Sequence, residues 1–262
     1  EYKRIRSTPA VRSGLVWFGS DDGHVHALNT SDGTDFWAYN TGYPVQMPVM
    51  VTDDVVFVVV NSNNLVALDI IGQKLSWSHP ASFLPWVEDG LAYVPGNSAL
   101  AALGIEDKAE TWKASFSARV RPALASGVLY AADASGRLAA FDPGSGSQKW
   151  AAGQATAAPY SIAAGNGLVY LGCTDNKLYA LSTADGSVQR IFTTSAAVSS
   201  PLVLTDEALL FTASDGSVYA ADALTGDGPE VTDDGPELTD EPSRVYRRRR
   251  RVDTWTTEGT TP

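Results

Sequence analysis

The side chains best suited to chemistry near neutral pH are few in this chain, and most of them stand apart. His24 and His26 flank Val25. In an extended segment residues i and i+2 project to one face, so the two imidazoles stand side by side as two potential metal ligands with no obvious third, although Asp21 or Asp22 could supply one. The expectation is an exposed polar hairpin with no metal. His79 is isolated. The acid pairs Asp21-Asp22 and Asp53-Asp54 read as turns, where a carboxylate caps its own backbone rather than moving protons. Cys173 is the single cysteine, which excludes an intramolecular disulfide and a cysteine-based metal site. No Gly-x-Ser-x-Gly elbow or Gly-x-x-x-x-Gly-Lys loop occurs, and Pro143-Gly144-Ser145-Gly146-Ser147 lies between two strands instead of opening a helix. No catalytic residue is assigned, and the chain is expected not to be an enzyme.

The cations are more suggestive. Arg119 and Arg121 alternate around Val120, so in an extended segment they share a face and together would attract an anion. Residues 227–243 hold seven acids and three prolines, and six arginines follow within eight residues, Arg244 and Arg247 to Arg251. This 227–251 stretch reads as a charged insertion. Its plainest reading is a solvated excursion whose halves neutralise each other. If Val245 to Trp255 forms one strand, Arg247, Arg249 and Arg251 line one face, with Arg244 just before it. Guanidinium forks bind carboxylates and phosphates bidentately, so an acidic peptide partner would suit that row. Nucleic acid is disfavoured, because the neighbouring acids and the net charge of −11 would repel phosphate.

The elements that must position these residues come from an internal repeat. Six strand-like segments, from Leu15–Ser20 to Leu209–Ser214, are each followed by a short Asp, Asn or Gly turn and a second strand holding an alanine. The aligned alanines are Ala27, Ala67, Ala102, Ala140, Ala180 and Ala220, spaced by 40, 35, 38, 40 and 40 residues. Trp37, Trp77, Trp112 and Trp150 each lie ten residues beyond their alanine; Arg190 takes the place in the fifth repeat and Trp255 in the sixth, after the insertion. One more strand opens each unit, around Pro9, Pro48, Pro85, Pro122, Ser161 and Pro201. The spacing predicts an all-β chain of four-stranded antiparallel units of about 40 residues, with no helix. Such a unit cannot bury both faces alone. Packing units radially solves this and removes long exposed edges, so a β-propeller is expected, with the tryptophans packed between blades.

Gly14-Leu15-Val16-Trp17-Phe18-Gly19 through Val25-His26-Ala27-Leu28 to Gly33 and Trp37, and Gly167-Leu168-Val169-Tyr170-Leu171-Gly172 through Leu178-Tyr179-Ala180-Leu181, resemble the repeat of the PQQ-like (quinoprotein-type) propeller family. The resemblance covers residues 7–226 and a closing strand near 252–259. It implies one propeller domain over residues 1–262, six-bladed, or seven-bladed if residues 1–6 and the insertion build a degenerate blade. The quinoprotein dehydrogenases of that family use an adjacent cysteine pair and a calcium set that this sequence lacks, so no cofactor is expected. The resemblance implies instead a non-catalytic scaffold or sensor domain of a bacterial protein, of the kind found in outer-membrane assembly or fused to serine/threonine kinases.

The leading expectation is therefore a protein- or peptide-binding module, monomeric as a domain. The alternative is a sensor for a small quinone or anion, its channel site drawn from Gln46, Trp86, Arg119, Arg121 and Tyr160 near the inner strands. No apolar run reaches the roughly 20 residues that span a bilayer. The Glu1 start reads as that of a domain excised from a longer protein, with the compartment left open between extracytoplasmic and cytoplasmic. If the segment around Trp255 closes the ring, deleting residues 252–262 will lower the melting temperature sharply; an unchanged melting curve would contradict that closure.

Overall fold

A computed structural model describes residues 3–153, 157–206 and 208–222. Among them every regular element is a strand. The insertion at 227–251, the arginines Arg244, Arg247, Arg249 and Arg251, and Trp255 with its expected closing strand lie outside the described residues.

The chain divides into two compact units. The first comprises residues 1–122 with 142–148 and holds three four-stranded sheets. These are β1 (Ala10–Arg12), β2 (Leu15–Gly19), β3 (His24–Asn29) and β4 (Asp35–Asn40); β5 (Met50–Val51), β6 (Val55–Val60), β7 (Asn64–Asp69) and β8 (Lys74–His79); and β9 (Trp86–Glu88), β10 (Leu91–Pro95), β11 (Leu100–Gly104) and β12 (Glu110–Ala114). The second unit takes the remaining residues. It holds β13 (Ala123–Ala125), β14 (Val128–Ala132), β15 (Leu138–Phe141) and β16 (Gln148–Ala152), whose first residue belongs to the first unit; then β17 (Pro159–Gly165), β18 (Leu168–Cys173), β19 (Lys177–Ser182) and β20 (Val188–Thr193); and finally β21 (Val203–Leu204), β22 (Ala208–Thr212) and β23 (Val218–Asp222). Each sheet is a meander in chain order, as the repeat predicts. The sixth shows three strands among the described residues.

Turn chemistry sets the register. In four sheets the first two strands are joined by two residues that both have positive φ: Ser13-Gly14, Asp89-Gly90, Ser126-Gly127 and Asn166-Gly167. This is the two-residue hairpin whose twist matches that of the strands, and glycine in the second place relieves the left-handed strain. Further along, each aligned alanine faces its tryptophan directly across the last strand pair: Ala27 opposite Trp37, Ala67 opposite Trp77 and Ala102 opposite Trp112. Arg190 stands opposite Ala180 in the same way. In all four the register slips immediately after the alanine, a recurrent bulge that gives the large side chain room beside a methyl group.

The core lies between sheets rather than within one. All six side chains of β6 are buried. Val55, Phe57 and Val59 pack with Ala92, Val94, Ala101 and Leu103 of the third sheet. Val56, Val58 and Val60 pack with Trp17, Val25 and Ala27 of the first. This explains why the strand is a continuous apolar run instead of an alternating one. In the second unit Tyr170, Leu178 and Phe192 pack in the same manner with Leu209, Phe211 and Tyr219.

The tryptophans add a polar anchor to this packing. The Trp77 indole donates to the Ile105 carbonyl at 2.8 Å, Trp112 to Pro143 at 2.7 Å and Trp150 to Thr183 at 3.0 Å. Each acceptor lies in the turn between the last two strands of the following sheet, so each ring both covers apolar surface and satisfies a loop carbonyl. The turn is shaped to receive it. A Cβ on Gly146 would run into the Trp112 ring, and the glycine has φ of +70°. We expect Gly146→Ala to lose about 2–4 kcal/mol in urea unfolding through clash and backbone strain. Gly144→Ala, whose nearest neighbour would be Asp142 Oδ1 at 3.5 Å, should stay within about 0.5 kcal/mol. Equal losses would contradict the role given to the ring.

Candidate functional site

The residues expected to form a channel site separate into distinct contacts. Gln46, in the connection from β4 to β5, donates its amide to Asp21 Oδ1 at 2.8 Å. Arg6 holds the other oxygen of that carboxylate at 3.0 Å. The Gln46 bond, opposed by desolvation and aided by Arg6, keeps the Asp21 carboxyl below its ordinary range. Arg119 and Arg121 lie on the connection leading to β13, on either side of buried Val120. They have different partners. Arg119 donates to Asn97 Oδ1 at 2.7 Å. Arg121 donates to the Pro85 carbonyl at 3.0 Å, and its guanidinium lies 5.1 Å from the centre of the Trp86 ring. Trp86 in turn donates to Glu88 Oε2 at 3.0 Å.

Trp86 and Arg121 are thus brought together, while Gln46 and Arg119 are each held by a neighbouring hairpin. Tyr160 belongs to the second unit. There it is the extra residue of a bulge between Pro159 and Ser161, and its ring is half exposed. The Arg121–Trp86 stack is a cation–π contact in which the Trp86 ring is partly buried and desolvation lowers the Arg121 pKa, with a Met50 sulfur 3.7 Å from the guanidinium.

The histidine pair differs from expectation. Instead of standing exposed, His26 is 8% accessible. Its ring stacks on Phe18, its register partner across β2, with centroids 5.2 Å apart. Its Nε2 lies 3.0 Å from Asp22 Oδ2. His24 lies beside it, with ring centroids 5.7 Å apart, and its Nδ1 is 3.4 Å from Asp22 Oδ1. The cause is the hairpin itself. Asp22 accepts the His24 amide at 2.8 Å, which turns the carboxylate back over β3 and draws the His26 ring under it. Burial alone would raise the Asp22 carboxyl, but the His24 amide, the His26 ring and the Ser20 hydroxyl outweigh it and the pKa is lowered. Asp22, His24 and His26 line a cavity of about 490 Å³ with Asp35, Phe36 and Trp37.

Two other ionisable side chains are held neutral by their surroundings. Cys173 is fully buried and its thiol is pushed up to about 12, chiefly by that burial, so it is no nucleophile at neutral pH. The ring of His79, partly covered and near Lys108 and Lys113, has its pKa lowered by desolvation and then by those charges, which favours the neutral form.

The family model described as outer membrane protein assembly factor BamB matches residues 2–83, 72–191 and 161–228. The chain belongs to this PQQ-like, BamB-type repeat family. Its sheets are the blades of a β-propeller. Outer membrane protein assembly factor BamB of Yersinia pestis is 27% identical over 241 residues, 82% of this chain and 60% of that protein. The chain thus spans about three fifths of the length of that relative. Among solved structures, the computationally designed Ika8 protein superposes with a TM-score of 0.74 at 14% identity, covering 87% of this chain and 74% of its own. BamB from Moraxella catarrhalis superposes with a TM-score of 0.58 at 14% identity, covering 83% and 85%. Both likenesses are of fold. Among the described residues no helix is long and apolar enough to cross a membrane.

If the Arg121–Trp86 stack is a working contact, Trp86→Ala and Arg121→Ala will couple in a double-mutant unfolding cycle by about 0.5–2 kcal/mol. Additive losses would mean that the two side chains are neighbours without an interaction.

Proposed function

We propose that this chain is a non-catalytic scaffold that binds a protein or peptide partner. In a larger bacterial protein, a serine/threonine kinase among them, it is the binding or sensor arm. Family membership and a relative described as an assembly factor support this reading. The observation that carries it is the partly exposed Arg121–Trp86 stack beside Met50. Tryptophan and arginine dominate the energetics of protein interfaces, because each offers a large area together with a directional polar group. Exposed Tyr43 and Met47, on the connection that carries Gln46, add apolar contact area of the same kind. The arginines Arg244, Arg247, Arg249 and Arg251 are a second contact in this reading, suited to an acidic partner.

The second reading, a sensor for a small quinone or anion, rests on the neighbouring cations Arg119 and Arg121. One pair of experiments separates the two. A photo-crosslinking amino acid at position 47 or 119 of the full-length protein in its host should give a discrete protein adduct that Trp86→Ala weakens. The same probe at Ile71, 81% exposed in the turn after β7, should not give it. Calorimetric titration with pyrroloquinoline quinone, with and without calcium, should give no saturable heat. One-to-one quinone binding that disappears in the Arg119→Ala, Arg121→Ala double variant would overturn the scaffold reading in favour of the sensor.

A further inference from the structure

The hairpin of the first blade holds a cluster that its counterparts in other blades do not. Asp22 occupies the same repeat position as Asp175 and Asp215, and His26 the same position as Tyr179 and Tyr219. In the fifth blade the Tyr179 hydroxyl donates to Asp175 Oδ2 at 2.7 Å. In the sixth, Asp215 and Tyr219 meet through the Ser195 hydroxyl. A hairpin carboxylate joined to a ring four residues on thus recurs in the fifth and sixth blades, while the second to fourth have Ser62 and Val66, Asn97 and Ala101, and Ser135 and Ala139 at those positions. The first blade puts an imidazole where the fifth and sixth put a phenol, and it adds a second imidazole, His24, where they have Lys177 and Ser217. A polar anchor is thereby converted into two nitrogen donors and a carboxylate on one side of β3.

We propose that Asp22, His24 and His26 bind a divalent late-transition metal ion of the zinc class. Their donor atoms all lie within 4.8 Å of one another. His26 Nε2 lies 3.0 Å from Asp22 Oδ2 and His24 Nδ1 lies 3.4 Å from Asp22 Oδ1, so each imidazole stands beside a different oxygen of the one carboxylate, each at a spacing close to the edge of a coordination tetrahedron. Bonds of about 2.0–2.1 Å at tetrahedral angles place neighbouring ligands about 3.3 Å apart. Two imidazoles and one carboxylate suit zinc, copper, nickel or cobalt, and not calcium or magnesium, which prefer oxygen shells.

The ligands are also held in place, which lowers the entropic cost of gathering them. Phe18 stacks on the His26 ring, the His24 amide fixes the Asp22 carboxylate, and Val25 between the histidines is locked in the core. The cavity leaves the remaining coordination position open to water or to a donor from outside, with Asp35 on its wall.

The repeat itself supplies variants that the fold accepts. His26→Tyr restores the pair seen in the fifth blade, and His24→Ser copies the sixth. The chelator-treated full chain is titrated with zinc chloride against a chromophoric chelator, and cobalt(II) is added separately for its visible spectrum. Expected are one zinc ion per chain, a cobalt spectrum of tetrahedral intensity, and affinity reduced more than about tenfold in each variant, since losing a ligand should cost at least as much as losing a group that merely orients one. His79→Gln should leave binding unchanged. Melting of the metal-free protein checks that the variants fold, and His24→Ser, at a part-exposed position, keeps the test valid if His26→Tyr does not. Absence of saturable binding, or binding that survives both variants, would overturn the proposal; survival would place the metal elsewhere, such as on the acidic residues 227–243.

Discussion

A strand with apolar side chains on both faces has no stable existence on its own, and the fold of this chain follows from that constraint. Val55 to Val60 alternate between two neighbouring sheets, odd residues to one side and even residues to the other. Each such side chain contributes about 1.5–3 kcal/mol when withdrawn from water, but only if the next blade is present to cover it. Stability therefore resides between blades. The alanine opposite each tryptophan serves the same end. At Ala67 and Ala102 a methyl group and the bulge behind it let the indole of Trp77 or Trp112 lie across the gap and donate to a carbonyl of the following turn. A larger side chain in place of Ala67 or Ala102 would displace the ring and forfeit both the packing and the hydrogen bond.

Much of this was legible in the sequence because the repeat displays each rule several times. Two-residue Asn-Gly or Ser-Gly steps, the alanine and the tryptophan ten residues later recur at fixed spacing, so a single weak signal becomes a strong one. Packing direction was less legible. The all-buried β6 reads simply as apolar, and only the structure shows which valine faces which neighbour. The fate of Arg119 and Arg121 was not legible at all. Alternation around Val120 placed them correctly on either side of a buried residue, but their partners, Asn97 and the Pro85–Trp86 step, come from hairpins more than 20 residues away in sequence.

The His26 expectation failed for an instructive reason. Taken singly, His-Val-His beside a turn looks solvent-exposed. Aligned with Asp175–Tyr179 and Asp215–Tyr219, the same position is that of a ring folded under a hairpin carboxylate. The signal was present in the repeat but not in the local pattern. These three hairpins are anchored by a local hydrogen bond that an imidazole or a phenol can make, while the load of folding is borne by inter-blade packing elsewhere.

That division of labour also bears on function. The Arg121–Trp86 stack and the Asp22–His24–His26 cluster each join a connection or hairpin turn to a strand: Arg121 and Asp22 lie outside the strands, while Trp86 opens β9 and both histidines belong to β3. The two differ in what they could recognise. The stack offers a flat, amphipathic surface to a side chain or peptide, and its selectivity would come from shape and charge. The cluster presents three donors within 4.8 Å of one another, and its selectivity would come from coordination geometry. A partner that itself supplied a histidine or carboxylate to the open metal position would then bind in a metal-dependent way, which contact with the stack alone would not require.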